Sequence, residues 1–397
     1  MLVPIVAAGV SAQRSASLPS VTRDSAVAMA LLHGSRAALA GATARGAAAR
    51  VRAAGAFANP TLAASYSKSV PQYHAILDLP LDFITLRGLR LAAARSASEA
   101  AQLRLAFARA AIRLDVDTLY TIAAARRARA ALSLRNAIDA DSLLAVASVR
   151  RSAGDASDLD VDVASINAGR ARNVAAADSA GVIASVLDLQ QTLGLAADAQ
   201  ALALADSLAL PASDSAASAR GTTPLSVAAA QRDLEAADRA VALERRSIWS
   251  GLALQAGVEN HDPTGAEPGL LPTFGVSVPI PLFSQGQGAI AVAEAERDRA
   301  RVELLAAQRE SVALIAKARR DLATSSARVA RDRQLVETAN RVARRSLQAY
   351  AEGAYPLTTV LEAQRNARDT LSELIDDLVA ANAAAAALRL YSGTLTP

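Results

Sequence analysis

Imidazole is the usual side chain for proton transfer or metal binding near neutral pH, and this chain of 397 residues has three: His33, His74 and His261. None has a second histidine or a cysteine at metal-ligand spacing. There is no cysteine at all, which excludes disulfides, thiolate metal sites and cysteine catalysis. No Gly-x-Ser-x-Gly or His-Glu-x-x-His pattern is present. Gly286-Gln287-Gly288 opens like a dinucleotide fingerprint, following a strand pattern and entering a helix pattern. That fingerprint needs a second strand about 20 residues on that ends in an acid for the ribose. Here the helical pattern continues past residue 340, so the glycines read better as easing a strand-to-helix bend. The expectation is no catalytic residue, no cofactor, no metal ligand and no enzyme. One acidic group remains: Asp158, Asp160 and Asp162, of which Asp158 and Asp162 are four apart and share a helix face. Carboxylates held together repel, and rings of them favour cations in a pore. Acids in a first helical turn also stabilise the helix dipole by about 0.3–1 kcal/mol each, and that alone accounts for their position.

The elements that must position such groups are mostly helical. Hydrophobic residues make up 52% of the chain but aromatics only 3%, so the surplus is alanine, which suits long helices packed through small side chains. Only Lys68 and Lys317 are lysines, and the formal net charge is +4. Acids and bases alternate rather than segregate, so nucleic acid is not an expected partner. Residues 2–10, LVPIVAAGV, with Val10-Ser11-Ala12 before Gln13, have the small-x-small pattern of a signal-peptidase site. Residues 1–12 are therefore read as a signal peptide, possibly truncated. Elsewhere no run of 18 apolar residues lacks a charge, so contact with a membrane has to be made by strands.

The punctuation repeats. Pro80 and Pro279, Gly154 and Gly353, and Gly194 and Gly393 are each 199 residues apart. Leu81/Ile280, Leu105/Leu304, Val116/Ile315, Val161/Val360 and Ala164/Ala363 match at that same offset. Two repeats, about 20–194 and 224–393, are joined by an Ala/Ser/Asp-rich linker, 195–223. Between each Pro and the first Gly lies a stretch almost without breakers. In the second repeat, roughly 287–350, Ile315, Leu322, Val329, Val336, Ala343 and Tyr350 recur every seven residues, which argues for coiled-coil packing. Gly154 and Gly353 end the long helices. Ser157 with Asp160 fits a capping box for one return helix, and Pro356 suits the first position of the other. Gly194 and Gly393 stop the returns. Shorter helices near 21–56 and 224–248 open the repeats.

Four alternating runs, about 59–70, 74–83, 249–259 and 273–283, read as strands in two hairpins. Each is about ten residues, the length a tilted membrane strand needs. Seven of the twelve aromatics fall in or beside them: Phe57, Tyr66, Tyr73, Phe83, Trp249, Phe274 and Phe283. Aromatics at the rims of an apolar band suit a membrane barrel. Four strands cannot close one, so closure requires several copies of the chain.

With these residues in view, the chain resembles the TolC-like outer-membrane efflux proteins, nearest in character to their heavy-metal efflux branch. The passages that carry the resemblance are RVRAAGAFANPTL at 50–62, LDLPLDFITLRGLR at 77–90, PIPLFSQGQGAIAVAEAE at 279–296 and GAYPLTTVLEAQ at 353–364. Gly88 and Arg90 stand where that branch tends to carry a Gly-Lys-Arg-like triplet. The acidic GDASDLDVDVAS at 154–165 and His33-Gly34-Ser35, in place of an Asn-Pro, depart from the pattern. The resemblance implies a homotrimer in the outer membrane. Four strands per chain would form a 12-stranded barrel continuous with a periplasmic α-barrel tunnel, docking onto a periplasmic adaptor (membrane fusion protein) and an inner-membrane pump. It places Gly154, Gly353, Tyr355 and Pro356 at adaptor-docking tips, and Asp158, Asp160 and Asp162 at a tunnel aperture. The alternatives are a periplasmic coiled-coil adaptor, a structural scaffold, or the outer-membrane component of a type I secretion system. An adaptor needs a lipoyl-like module that is missing here, and a scaffold leaves the paired apolar strands unexplained.

Overall fold

In the computed structural model, residues 20–69, 71–195, 202–211, 223–260, 269–283 and 285–393 are described. The signal-peptide reading at 1–12, most of the linker 195–223 and most of the loop holding His261 lie outside them. The chain divides into two compact units. One comprises Met1–Gly34, Asp115–Leu210 and Ser325–Ala380; the other comprises Ser35–Leu114, Pro211–Thr324 and Ala381–Pro397. None of the described helices is long and apolar enough to cross a membrane.

The second unit holds the larger sheet. Four antiparallel strands, β2 (Thr61–Tyr66), β3 (Tyr73–Pro80), β5 (Ala253–Asn260) and β6 (Leu271–Ser277), stand in the order β2-β3-β5-β6, so the two hairpins join through β3 and β5. The strands stop short of the alternation in the sequence for local reasons. Beyond β3, Asp82–Thr85 turns as the short helix α3, although the Leu81 N–H still donates to the Leu252 carbonyl at 2.8 Å. Ahead of β5, helix α6 (Leu225–Arg246) runs on into a tight turn at Ser247–Trp249. Past β6, Pro279 and Pro281 have no N–H for a ladder.

The helices follow the repeat. The long helices are α4 (Arg87–Ser152) and α7 (Gln287–Ala351), and the returns are α5 (Asp158–Thr192) and α8 (Leu357–Ser392). Pro356 directly precedes α8, one position earlier than its sequence reading. The helical pattern near 21–56 is broken into α1 (Arg23–His33) and α2 (Ser35–Gly55) at Gly34, whose backbone is extended. A Cβ there would meet the Ala30 carbonyl oxygen at 2.3 Å, so the site suits glycine sterically.

Alanine forms about half of the buried hydrophobic residues described. On α7 the seven-residue series read from the sequence has a second series beside it: Ser311, Ala318, Ser325, Asp332, Ala339 and Ser346. Of these, Ser311, Ala318, Ser325 and Ser346 are buried, as are Val329 and Tyr350 of the first series. A line of large residues beside a line of small ones is a seam along which backbones approach closely. Asp332 is the one acid on it. Burial first, and the neighbouring Asp377 and Glu373 carboxylates after it, push the Asp332 carboxyl above its ordinary value, while Arg328 is held 3.1 Å from Asp377.

Within the first unit, β1 (Ser20–Val21) and β4 (Ala203–Leu204) pair in parallel. Two residues per strand cannot hold a sheet, and side chains from α4 do so instead. The buried Tyr120 hydroxyl donates to the Val21 carbonyl at 2.9 Å and accepts from the Asp206 N–H at 3.0 Å. Arg127 donates to the carbonyls of Leu204 and Asp206 at 2.5 and 2.6 Å, and the Arg23 N–H donates to the Asp206 carboxylate at 2.7 Å.

Two outcomes follow. Tyr120→Phe leaves the half-buried Asp206 N–H without its acceptor, while the Val21 carbonyl keeps the Ala205 N–H at 3.0 Å, and should cost about 1 kcal/mol, measured by denaturant unfolding of the helical signal. Asp332 contributes stability that is fully present below its ordinary value of 3.8 and lost as pH rises through the raised folded value. Asp332→Asn should therefore raise the thermal midpoint at pH 7 and flatten its dependence on pH; an unchanged midpoint and pH profile would contradict this.

Candidate functional site: a two-faced sheet and a pair of clamped turns

Strand alternation sorts the sheet into two faces. Registers pair Leu62 with Leu77, Ala64 with Ala75, Leu77 with Ala256, Leu79 with Leu254, Leu254 with Val276 and Ala256 with Phe274. All of these lie on one face, together with Tyr66, Tyr73 and Val258. That face is unprotected in the single chain: Phe274 is 84% exposed and Val276 61%. The tilted rings of Tyr66 and Tyr73 meet at 5.3 Å where β2 turns into β3.

The opposite face is mainly polar. Gln255 donates to Asp78 across β5 and β3 at 2.6 Å, and His74 stands 3.4 Å from Glu259 two pairs further toward the loops, past Ile76 and Gly257. Thr61, Ser65, Thr273 and Ser277 share it by register, with Ala63, Ile76 and Leu271 among its apolar members. His74 is thus accounted for by a cross-strand carboxylate, and His33 closes the last turn of α1. Among the described residues, β2 pairs only with β3 and β6 only with β5, so both outer edges of the sheet are unpaired within the chain.

In the other unit the two turns that end α4 and α7 have the same geometry. Gly154 takes φ +87° and Gly353 φ +81°, in the left-handed region that favours glycine. The Asp155 N–H reaches back to the Arg150 carbonyl at 2.8 Å and the Ala354 N–H to the Ala349 carbonyl at 2.8 Å. Gly154 and Gly353 bond three residues back, each at 3.0 Å. Both are glycine-terminated Schellman closures. Around them Leu143, Ala147, Ala164, Tyr350, Leu357 and Val360 form one buried cluster, so residues from both repeats share a core here.

Arg150 fastens the turns together. It donates to the Tyr350 carbonyl at 2.8 Å and the Asp155 carbonyl at 3.0 Å, and its guanidinium lies 4.7 Å from the centre of the buried Tyr350 ring. Sequence reading did not single out Arg150, and its repeat counterpart is Ala349, so internal symmetry carried no signal. Tyr350 entered that reading only as a heptad position.

The three aspartates are separated by their partners. Asp160 completes the capping box: the Ser157 N–H and hydroxyl donate to its carboxylate at 3.1 and 3.0 Å, and the Asp160 N–H donates to the Ser157 hydroxyl at 3.2 Å. Asp158 pairs with Arg151. Asp162 is exposed on the first turns of α5. Tyr355 and Pro356 are exposed beside Gly353.

Where the sheet meets the helices, Arg90 donates to the buried carboxylate of Asp82 at 2.6 Å. Arg87 donates to the Gly55 carbonyl at 2.8 Å and lies 4.3 Å from the centre of the Phe57 ring. Gly286 takes φ +78° directly before α7, at the bend that resembled half a dinucleotide fingerprint.

Arg150→Met keeps the apolar stem while removing two charge-assisted hydrogen bonds and the ring contact. The expected loss is about 1–3 kcal/mol, with local hydrogen exchange accelerating first at residues 150–156 and 350–356.

Residues 225–394 match the family model described as outer membrane efflux protein. No curated protein matches the chain. Among solved structures, the fold is similar to CusC, described for conformational changes accompanying folding and transmembrane channel formation. The TM-score is 0.77 at 15% identity, covering 95% of this chain and 93% of that one. The outer membrane protein VceC of Vibrio cholerae gives 0.76 at 16% identity, over 94% and 96%. The CmeC outer membrane channel of Campylobacter jejuni gives 0.73 at 13% identity, over 99% and 93%. At such identities these likenesses establish the fold. The resemblance to the TolC-like proteins is borne out: residues 225–394 carry the sequence pattern of the outer membrane efflux proteins, and the chain as a whole has the fold of outer-membrane channels.

Proposed function

We propose that the chain is one protomer of a passive outer-membrane channel for efflux. In this reading three copies close a 12-stranded barrel in the outer membrane, and their helical hairpins form the tunnel on the periplasmic side. The observation that carries the reading is the sheet with one apolar face, one polar face and two unpaired edges. Open edges are not tolerated in hydrocarbon, where each unsatisfied backbone group costs several kcal/mol. Strand directions alternate from β2 to β6, so β6 of one copy against β2 of the next continues the antiparallel pattern until the ring closes. The apolar face then meets lipid and the face with Asp78, Gln255, His74 and Glu259 lines the lumen. Apolar side chains left exposed on α4 and α5, among them Leu134, Ile138, Leu159, Ile166 and Ile183, supply further surface for neighbouring copies.

The partners in this reading are a periplasmic adaptor and an inner-membrane pump, with the turns at 152–157 and 352–356 as the docking tips. Gly154, Gly353, Tyr355 and Pro356 form the docking surface, and Asp158, Asp160 and Asp162 ring the aperture. Asp162, without a capping role, is the acid best placed to act on passing ions. The protein conducts what its pump delivers and performs no chemistry of its own.

The sheet supplies the test. Val276→Arg puts a charge on the lipid face and should cost about 2–4 kcal/mol at mid-membrane, while Ser277→Arg, one residue along on the other face, should cost little. The measurement is the yield of a heat-modifiable trimer in the outer-membrane fraction. Equal tolerance at the two positions would remove the barrel.

A further inference from the structure

The segments that link strands to helices carry exposed apolar side chains: Phe57, Phe83, Ile84, Trp249, Leu282 and Phe283, the last 98% exposed. Phe57 and Phe83 stand edge to face at 6.2 Å. Beside them is a cation with no counter-charge. Among the described residues no carboxylate pairs with Arg87, and neither of its terminal nitrogens has an acceptor. Three residues on, Arg90 is different: its charge is met by Asp82, which is only 6% exposed and so unavailable to anything outside.

Arg87 is also held in place. Its Nε donates to the Gly55 carbonyl and its plane lies over Phe57, so the orientation of the guanidinium is set before any ligand arrives. The two free nitrogens form a fork whose spacing matches two oxygens of a phosphate. A phosphate on Arg87 would have apolar groups alongside, and among the described residues these linking segments offer a choline or ethanolamine ammonium only Asp82, whose carboxylate is buried against Arg90. Resting on the outer-membrane reading above, which makes this border continuous with the lipid-facing side of the sheet, we propose that Arg87 is an anionic phospholipid site. The phosphate sits on the Arg87 fork and the acyl chains lie along Phe57, Phe83 and Ile84.

Trp249, the only tryptophan in the chain, reports on this border. Its carbonyl accepts from the Leu252 N–H at 3.3 Å, and the Leu252 carbonyl accepts from the Leu81 N–H. The full-length protein is reconstituted in phosphatidylcholine–phosphatidylglycerol vesicles in which either lipid carries brominated chains, and quenching of Trp249 is measured. Brominated phosphatidylglycerol should quench beyond its share of the bilayer, by about fivefold relative to brominated phosphatidylcholine, as expected for one uncompensated arginine at a lipid surface. The excess should shrink as salt rises and disappear in Arg87→Gln, with Arg87→Lys keeping part of it. Equal quenching by the two lipids in the unmodified protein overturns the site, as it would if a neighbouring copy covered this face. An excess that survives Arg87→Gln removes Arg87 from it. Absence of quenching by either lipid strikes instead at the outer-membrane reading, so the two failures are distinguishable.

Discussion

A β-strand at the edge of a sheet presents a row of unpaired N–H and C=O groups, and β2 and β6 present two such rows. In water these groups are solvated at little cost. In hydrocarbon they have to be paired, and a four-stranded sheet with an apolar face cannot pair them alone. In the proposed channel, the need for further copies of the chain follows from this one constraint. So does the division of labour across the sheet: Phe274 and Val276 tolerate exposure only if lipid meets them, and Asp78 and Glu259 tolerate their face only if it stays wet.

The helices solve a different problem. With about half of the buried hydrophobic residues being alanine, little of the packing comes from large side chains. Close approach replaces bulk, through Ser311, Ala318, Ser325 and Ser346 on α7. Dense packing at short backbone separations recovers dispersion energy that Leu or Phe would otherwise supply. Larger groups are placed where loose ends have to be held. Tyr120 and Arg127 fasten two strands of two residues each, and Arg150 and Tyr350 fasten two turns. Tyr120, Arg127 and Arg150 all use backbone carbonyls as acceptors, and Tyr350 adds the ring over which the Arg150 guanidinium lies.

Arginine takes three roles of different physical kinds. Arg90 neutralises a buried carboxylate, Arg150 bridges carbonyls over an aromatic ring, and Arg87 is braced by one bond and one ring. Composition counts all three alike. Only their neighbours separate a structural cation from one available to a ligand.

The sequence alone determined what rests on period and on residue type. The offset of 199 residues between Pro80 and Pro279 and between Gly154 and Gly353 marked the duplication. Alternation at 252–258 and 273–278 marked strands with two unlike faces, and Ser157 with Asp160 marked a helix start, because these signals act over a few residues and need no distant partner. Where strands stopped was decided locally but not by period, since Asp82–Thr85 turns as a short helix and Pro279 and Pro281 have no N–H for the ladder. The union of two hairpins through β3 and β5, across some 180 residues of chain, was decided by the tertiary structure, as in the pairing of Ala75 with Val258. Asp158, Asp160 and Asp162 look alike in sequence, yet one pairs with Arg151, one caps a helix and one is exposed. Such assignments depend on which groups lie within about 3 Å of one another, and proximity between residues distant in the chain is written in the fold.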